Sequence, residues 1–268
     1  MRLVALLRTP TRPDEAAGAV AAAPGLTLAE ARMRLAPEPP ALLARVEPDQ
    51  AGALVAVLRK AGLAALAVDA CCPTDRERTV AHSFAFDRTT VIFTPRSGEP
   101  MEVEWTEVVA ILRGRRKSHT EVLRTETTMT LSAGSAGLTG GLMLPDISTE
   151  TVRSSKETLE QVILVYARDG RVAMLAEREL AFSCLGAGMQ PSRTGNMVEV
   201  TRRLRENAKR AFYDERLLRL GCRPLPFLHG GESRTLTADV VTTRTDTSAS
   251  LDTLAEVMRQ ALVEGLLP

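Results

Sequence analysis

Residues Gly25–Asp69 read GLTLAEARMRLAPEPPALLARVEPDQAGALVAVLRKAGLAALAVD, and the local chemistry of this stretch decides the fold of the first part of the chain. Thr27 and Glu30 make a T-x-x-E capping box: hydroxyl and carboxylate each satisfy a backbone N–H that a helix start leaves orphaned. A helix therefore begins at Thr27. It ends before Pro37, because Pro39 and Pro40 cannot continue it, and Ala41–Val46 reads as a strand. Asp49 then caps a further helix whose apolar residues Leu54, Val55, Leu58 and Ala61 recur at helical spacing. Gly62 stands where a left-handed cap is expected, and Leu63–Val68 is a closing strand.

Working outward towards the N-terminus, Arg2–Arg8 is an apolar run of strand length. Pro10 and Pro13 break it, and Asp14 opens a helix that reaches Ala23. The expected order is β-α-α-β-α-β, and a right-handed crossover over Ala41–Val68 would set these strands side by side in one sheet.

On these residues the segment resembles the C-terminal domain of the ribosomal stalk protein, a fold shared by the Clp protease adaptor. The likeness is carried by Gly25, Leu26, Leu28, Glu30 and Ala31 at the helix start, then by Pro40, Ala41 and Leu43. Ala51, Leu54 and Leu58 follow, with Ala61 and Gly62 at the turn. These are packing and turn positions, so the resemblance implies a fold. The stalk domain touches translation factors through lysines and arginines on its first helices, whereas the first helix here holds Glu15, Ala16, Ala17, Gly18, Ala19, Val20 and Ala21. The basic face is missing, and that partner is not implied. The adaptor's acidic pocket is not recognisable either.

From Thr79 the texture turns to β. Ser83–Phe86, Thr90–Thr94 and Met101–Trp105 are short alternating runs, with Pro95, Ser97, Gly98 and Pro100 forming a hairpin turn. Val108–Leu112 and Thr120–Leu123 continue the meander. Trp105 followed by Glu107, Val108, Ile111 and Leu112 is similar to bacterial pleckstrin-like domains. Residues 126–158 are rich in Thr, Ser and Gly and read as a flexible loop. Gln161–Ala167 and Arg171–Ala176 then form a hairpin, and Asn196 with Glu199 caps a long helix burying Met197, Val200, Leu204, Ala208, Ala211 and Leu218.

The expected fold class is thus α+β: a small β-α-α-β-α-β domain over 1–69, then a β-rich, pleckstrin-like domain over 79–221 closed by a helix and carrying the flexible insertion 126–158. Residues 222–250 read as a linker and 251–267 as an amphipathic helix starting at Asp252.

Composition narrows the function. A chain of 268 residues with 44% hydrophobic residues can build real cores and is long enough for two domains. Aromatic residues, at 3%, are too few for base-stacking platforms, and a net charge of +1 supplies no field to gather nucleic acid. Nucleic acid is therefore not an expected partner. Cysteines at 71, 72, 184 and 222 contain no C-x-x-C pair, and the N-terminal apolar run is too short for a signal peptide or a membrane span. These features read as a cytoplasmic protein with reduced thiols.

Two features could bind something. Arg113, Arg115, Arg116 and Lys117, with His119 beyond, could hold a phosphate or lipid head group, unless they are a solvated strand end balanced by Glu102, Glu104, Glu107 and Glu121. Leu254, Val257, Met258 and Leu262 form a stripe that must cover its own body, a second copy or a partner. Cys71, Cys72 and His82 lack a fourth ligand for a metal, and Gly134–Gly141 lacks the P-loop pattern. Asp214 and Glu215 read as ion-pair partners of Arg216 and Arg219. No catalytic constellation and no cofactor are expected. The leading expectation is a non-catalytic adaptor or scaffold that binds a protein or itself; the alternative is a sensor of a phosphorylated ligand or anionic lipid with peripheral membrane contact.

Overall fold

The computed structural model describes residues 1–22, 26–70, 77–131, 145–228, 232–237 and 240–267; for 126–131, 145–149 and 232 it describes the backbone alone. Cys71, Cys72 and Gly134–Gly141 lie outside the described residues.

Strand β1 (Arg2–Leu6) is followed by α1 (Pro13–Ala21), α2 (Leu28–Leu35), β2 (Ala41–Val46), α3 (Pro48–Lys60) and β3 (Ala65–Asp69). The capping box is present: the Glu30 N–H donates to Thr27 Oγ1 at 3.2 Å, and the Thr27 N–H donates to the Glu30 carboxylate at 2.8 Å. Helix α3 starts one residue ahead of Asp49, at Pro48, where a missing N–H costs nothing. Gly62 ends it at φ +78°, a conformation that favours glycine.

The strand order is β2-β1-β3, with both neighbours antiparallel to β1. Strands β2 and β3 therefore share a sheet without lying side by side, a correction to the expected pairing. The reason is burial: Leu3–Leu7 is the most apolar run of the three and is at most 2% exposed, so it takes the central place. On one face Val4, Leu6, Leu43 and Ala65 pack under α1–α3. The other face presents Leu3, Ala5, Leu7, Leu42, Leu66 and Val68.

The second, curled sheet is built from β4 (Thr79–Phe86), β5 (Thr90–Pro95), β6 (Met101–Glu104), β7 (Val108–Leu131), β8 (Pro145–Ala167), β9 (Val172–Ala176) and β10 (Phe212–Asp214). Strands β4–β6 form the expected meander, β9 runs parallel to β4 and antiparallel to β8, and β10 runs parallel to β7. One face buries Ile111, Ile163, Val165 and Leu175 against Met197, Val200 and Leu204 of α4 (Arg193–Asn207). The opposite face buries Leu112, Val162, Leu164 and Met174 against α5 (Leu217–Leu220) and α6 (Ser248–Val263).

Helix α6 is covered twice. Leu251, Leu254, Ala255 and Met258 meet the second sheet, while Val257 and Ala261 meet the bare face of β1–β3. Leu254, Val257 and Met258 are 0% exposed and Leu262 is half-buried. Of the three covers open to the stripe, its own body is the one the structure shows, in place of a partner-binding face at Leu254, Val257, Met258 and Leu262.

The chain divides into two compact units. The first holds Met1–Lys117, Leu159–Leu228 and Thr247–Pro268, with everything described so far except the far ends of β7 and β8. The second holds Ser118–Thr158 and His229–Asp246. It is a ribbon ordered β11-β12-β7-β8, where β11 is Glu232–Leu236 and β12 is Val240–Asp246.

Three expectations are corrected here. Within 126–158, the described residues are strand rather than loop, because β-branched Thr and Val favour extended backbone. Residues 222–250 hold β11 and β12, and α6 begins at Ser248 rather than Asp252. The long helix is capped by Ser192, whose Oγ accepts from the Gly195 N–H at 3.0 Å. It stops at Asn207 because Ala208 leaves helical geometry and Phe212–Asp214 pairs with β7, so Ala211 and Leu218 are not on it.

Candidate functional site

A strand alternates its side chains, and this alone divides the basic run on β7. Arg116 shares the face of Leu112 and donates from Nε to Glu160 at 2.7 Å, with 21% of its side chain exposed. Arg113 shares the face of Ile111 and donates from Nη2 to Gln161 Oε1 at 2.8 Å. Arg115 makes no ion pair among the described residues. The Lys117 backbone N–H donates to Thr247 Oγ1 at 2.9 Å, and the Thr247 N–H returns a bond to the Lys117 carbonyl at 2.9 Å. Arg116 thus lies on the face opposite Arg113, so the four residues do not form one cluster, a correction to the expected grouping. The expected acidic counterweights are also engaged elsewhere: Glu107 takes Arg168 at 3.0 Å and Glu121 takes Arg153.

Arg113 instead joins a groove of about 670 Å³ formed with the end of α4 and with β10. Its Nη1 lies 3.8 Å from Glu215, and its Nε is buried without a hydrogen-bond partner. Tyr213, on β10, donates its hydroxyl to Glu215 at 2.9 Å. Burial and the Glu215 carboxylate push the Tyr213 phenol above its usual range. The Arg205 guanidinium lies over the Tyr213 ring at 4.1 Å, a cation–π arrangement that holds a flexible side chain in place.

The remaining charges of the groove differ in how they are compensated. Arg202 is engaged by Glu199 at 2.7 Å and by Glu206 at 2.5 Å. Hydrogen bonds from Arg202 and Arg203 hold the Glu199 carboxyl down to about 2. Arg205 and Lys209, by contrast, make no ion pair among the described residues. The groove is thus lined by cations from β7, from the last turn of α4 and from the loop after it, beside a Tyr213 ring that Arg205 covers.

No family model, curated protein or solved structure matches the chain.

The other sequence candidates are dispersed. His82 Nδ1 sits 2.8 Å from the Glu179 carbonyl. No group of three or more His, Cys, Asp or Glu side chains gathers among the described residues. Asp214 pairs with Arg216 at 2.8 Å as expected, but Arg219 reaches Glu38 at 2.5 Å and Glu215 turns to the groove. Arg205 and Lys209 were not among the sequence candidates. Arg205 lies in the last turn of α4 and Lys209 beyond its cap, so no helix spacing marks them in the sequence, and only the fold of β10 brings them to one groove.

Proposed function

We propose that the protein is a non-catalytic adaptor that takes an extended segment of a protein partner along the open edge of its β-ribbon. The observation that carries this reading is the length of β8. The strand spans 23 residues, yet its second neighbour, β9, pairs only with Val162–Tyr166. Among the described residues, 145–158 has β7 alone beside it. Such an edge presents alternating N–H and C=O groups over about 45 Å at 3.3 Å per residue, a template for strand addition. Strands in globular proteins commonly stop near ten residues. Glu150 and Lys156 place both signs of charge beside the edge, which would select among extended segments.

A cytoplasmic location belongs to the same proposal. Among the described residues, no helix is long and apolar enough to cross a membrane.

Amide hydrogen exchange on the full chain, alone and with a captured partner, tests the reading. Strand addition predicts new protection concentrated in 150–158. Protection confined to the first unit would overturn it.

A further inference from the structure

We propose that the groove between α4, β7 and β10 binds a phosphomonoester, whether on a soluble small molecule or on a lipid head group. The inference is independent of the strand-addition reading, since every residue that carries it belongs to the first unit.

Three cationic side chains converge from separate elements: Arg113 from β7, Arg205 from α4 and Lys209 from just beyond the α4 cap. The competing explanation is that Arg205 and Lys209 merely serve the carbonyl end of the helix, which favours cations. The hydrogen bonds argue otherwise. The last turn is closed by the Asn207 Nδ2 donating to the Arg203 carbonyl at 2.8 Å and by the Ala208 N–H donating to the Leu204 carbonyl at 2.8 Å. Arg205 lies over Tyr213 instead of reaching back. Meanwhile the two groove carboxylates already have donors, Glu206 from Arg202 and Glu215 from the Tyr213 hydroxyl. Glu215 also lies 3.8 Å from Arg113 Nη1, so the groove cations without a carboxylate among the described residues are Arg205 and Lys209.

Donors arriving from a strand, a helix and a loop suit a tetrahedral group with three acceptor oxygens better than a planar carboxylate. A phosphomonoester is close to a dianion at neutral pH, with a second ionisation near 6, so the site should bind it more tightly at pH 7 than at pH 5. The groove volume of about 670 Å³ leaves room for a small organic body beside the phosphate.

The test uses the full chain, with inorganic phosphate as the first probe and chemical shifts of the amides of 201–215 as the readout. Saturable shifts are expected at millimolar phosphate, weakened about tenfold or more by Arg205→Gln combined with Lys209→Gln, a loss of about 1.4 kcal/mol or more. Arg210→Gln, at an exposed position outside the groove lining, should leave binding unchanged. Phosphatidylcholine vesicles with and without phosphatidic acid form the second arm. Co-sedimentation that needs phosphatidic acid and is lost in the double variant assigns the phosphate to a head group, whereas phosphate binding without co-sedimentation assigns it to a soluble ligand. Absence of binding in both arms, or binding that ignores the double variant, would overturn the proposal.

Discussion

Arg78 holds Asp252 in a bidentate pair, Nη1 to Oδ1 at 2.6 Å and Nη2 to Oδ2 at 3.2 Å, with only 5% and 11% of the two side chains exposed. Both charges are largely taken from water, and the bidentate pair compensates them. Truncating one partner removes that pair. Asp252→Ala is expected to destabilise the chain by about 3–5 kcal/mol, the usual cost of breaking a buried ion pair from one side. The apolar double variant Arg78→Met with Asp252→Leu should cost less than the single change. Urea midpoints decide it, and a single-variant cost under about 1 kcal/mol would show that the pair is effectively solvated.

The twofold burial of α6 makes it a common support of both sheets. Leu254→Ala removes side-chain packing from the second sheet and is expected to cost about 2–5 kcal/mol. Val257→Ala acts on the face of β1–β3. Fluorescence of Trp105, in the second sheet's core, and exchange of β1 amides should shift together for either variant. Independent transitions would show that the helix does not couple the sheets.

Gly221 owes its identity to packing rather than to its dihedral angles. A Cβ there would lie 2.5 Å from the Arg115 carbonyl and 2.8 Å from the Leu217 carbonyl, both backbone atoms that cannot simply rotate away. Gly221→Ala should therefore destabilise the chain by about 1–3 kcal/mol, as overpacking does, visible as a lower thermal midpoint. Gly18→Ala meets nothing within 4 Å and should be neutral or stabilising by comparison.

Both tyrosines should titrate late. Burial, followed by the Glu256 and Asp252 carboxylates, raises the Tyr166 phenol far above its usual 10, and burial with Glu215 raises Tyr213. A phenol raised in the folded state contributes stability that is whole below the unfolded value and is lost as pH climbs through the folded one. Alkaline unfolding should begin above pH 10, with Tyr166 ionising only as the chain opens. An ultraviolet titration showing both phenols ionising near 10 in a folded chain would refute this.

In acid the sign reverses. Glu199, held at about 2 against the usual 4.5, contributes stability present above 4.5 and lost as pH falls towards 2. Glu199→Gln should flatten the stability profile over that window while leaving its shape near neutral pH. An unchanged acid limb would show that Arg202 and Arg203 do not hold the carboxylate in solution.

The legibility of the fold followed the strength of local signals. The capping box at Thr27 and the turn at Gly62 lie in single residues with unusual backbone requirements, so β1 to β3 could be read almost to their ends. The order β2-β1-β3 could not, since it depends on which of three apolar strands gains most by being central. Strands β7 and β8 were obscured for the opposite reason. Among the residues of their distal halves whose side chains are described, 118–125 and 150–158, no apolar side chain is buried, so a polar Thr-rich ladder looks like a loop. Arg113 stands in the basic run of β7, but the groove's other cations lie far from it in sequence. Arg115, Arg116 and Lys117 are neighbours in sequence, whereas Arg205 and Lys209 become neighbours only once β10 pairs with β7.

The position of α6 also bears on how the chain reaches its native state. Leu3 and Ala5 share a core with Val257 and Ala261, residues about 250 positions apart along the chain. Contacts of such separation incur their loop-closure entropy before they return any burial, which slows folding. Until α6 arrives, the sheet of β1–β3 keeps an oily back of Leu3, Leu7, Leu42 and Leu66 facing water. A nascent or refolding chain would therefore pass through a sticky half-finished state, and chaperone dependence would be concentrated in the interval before residues 248–263 dock.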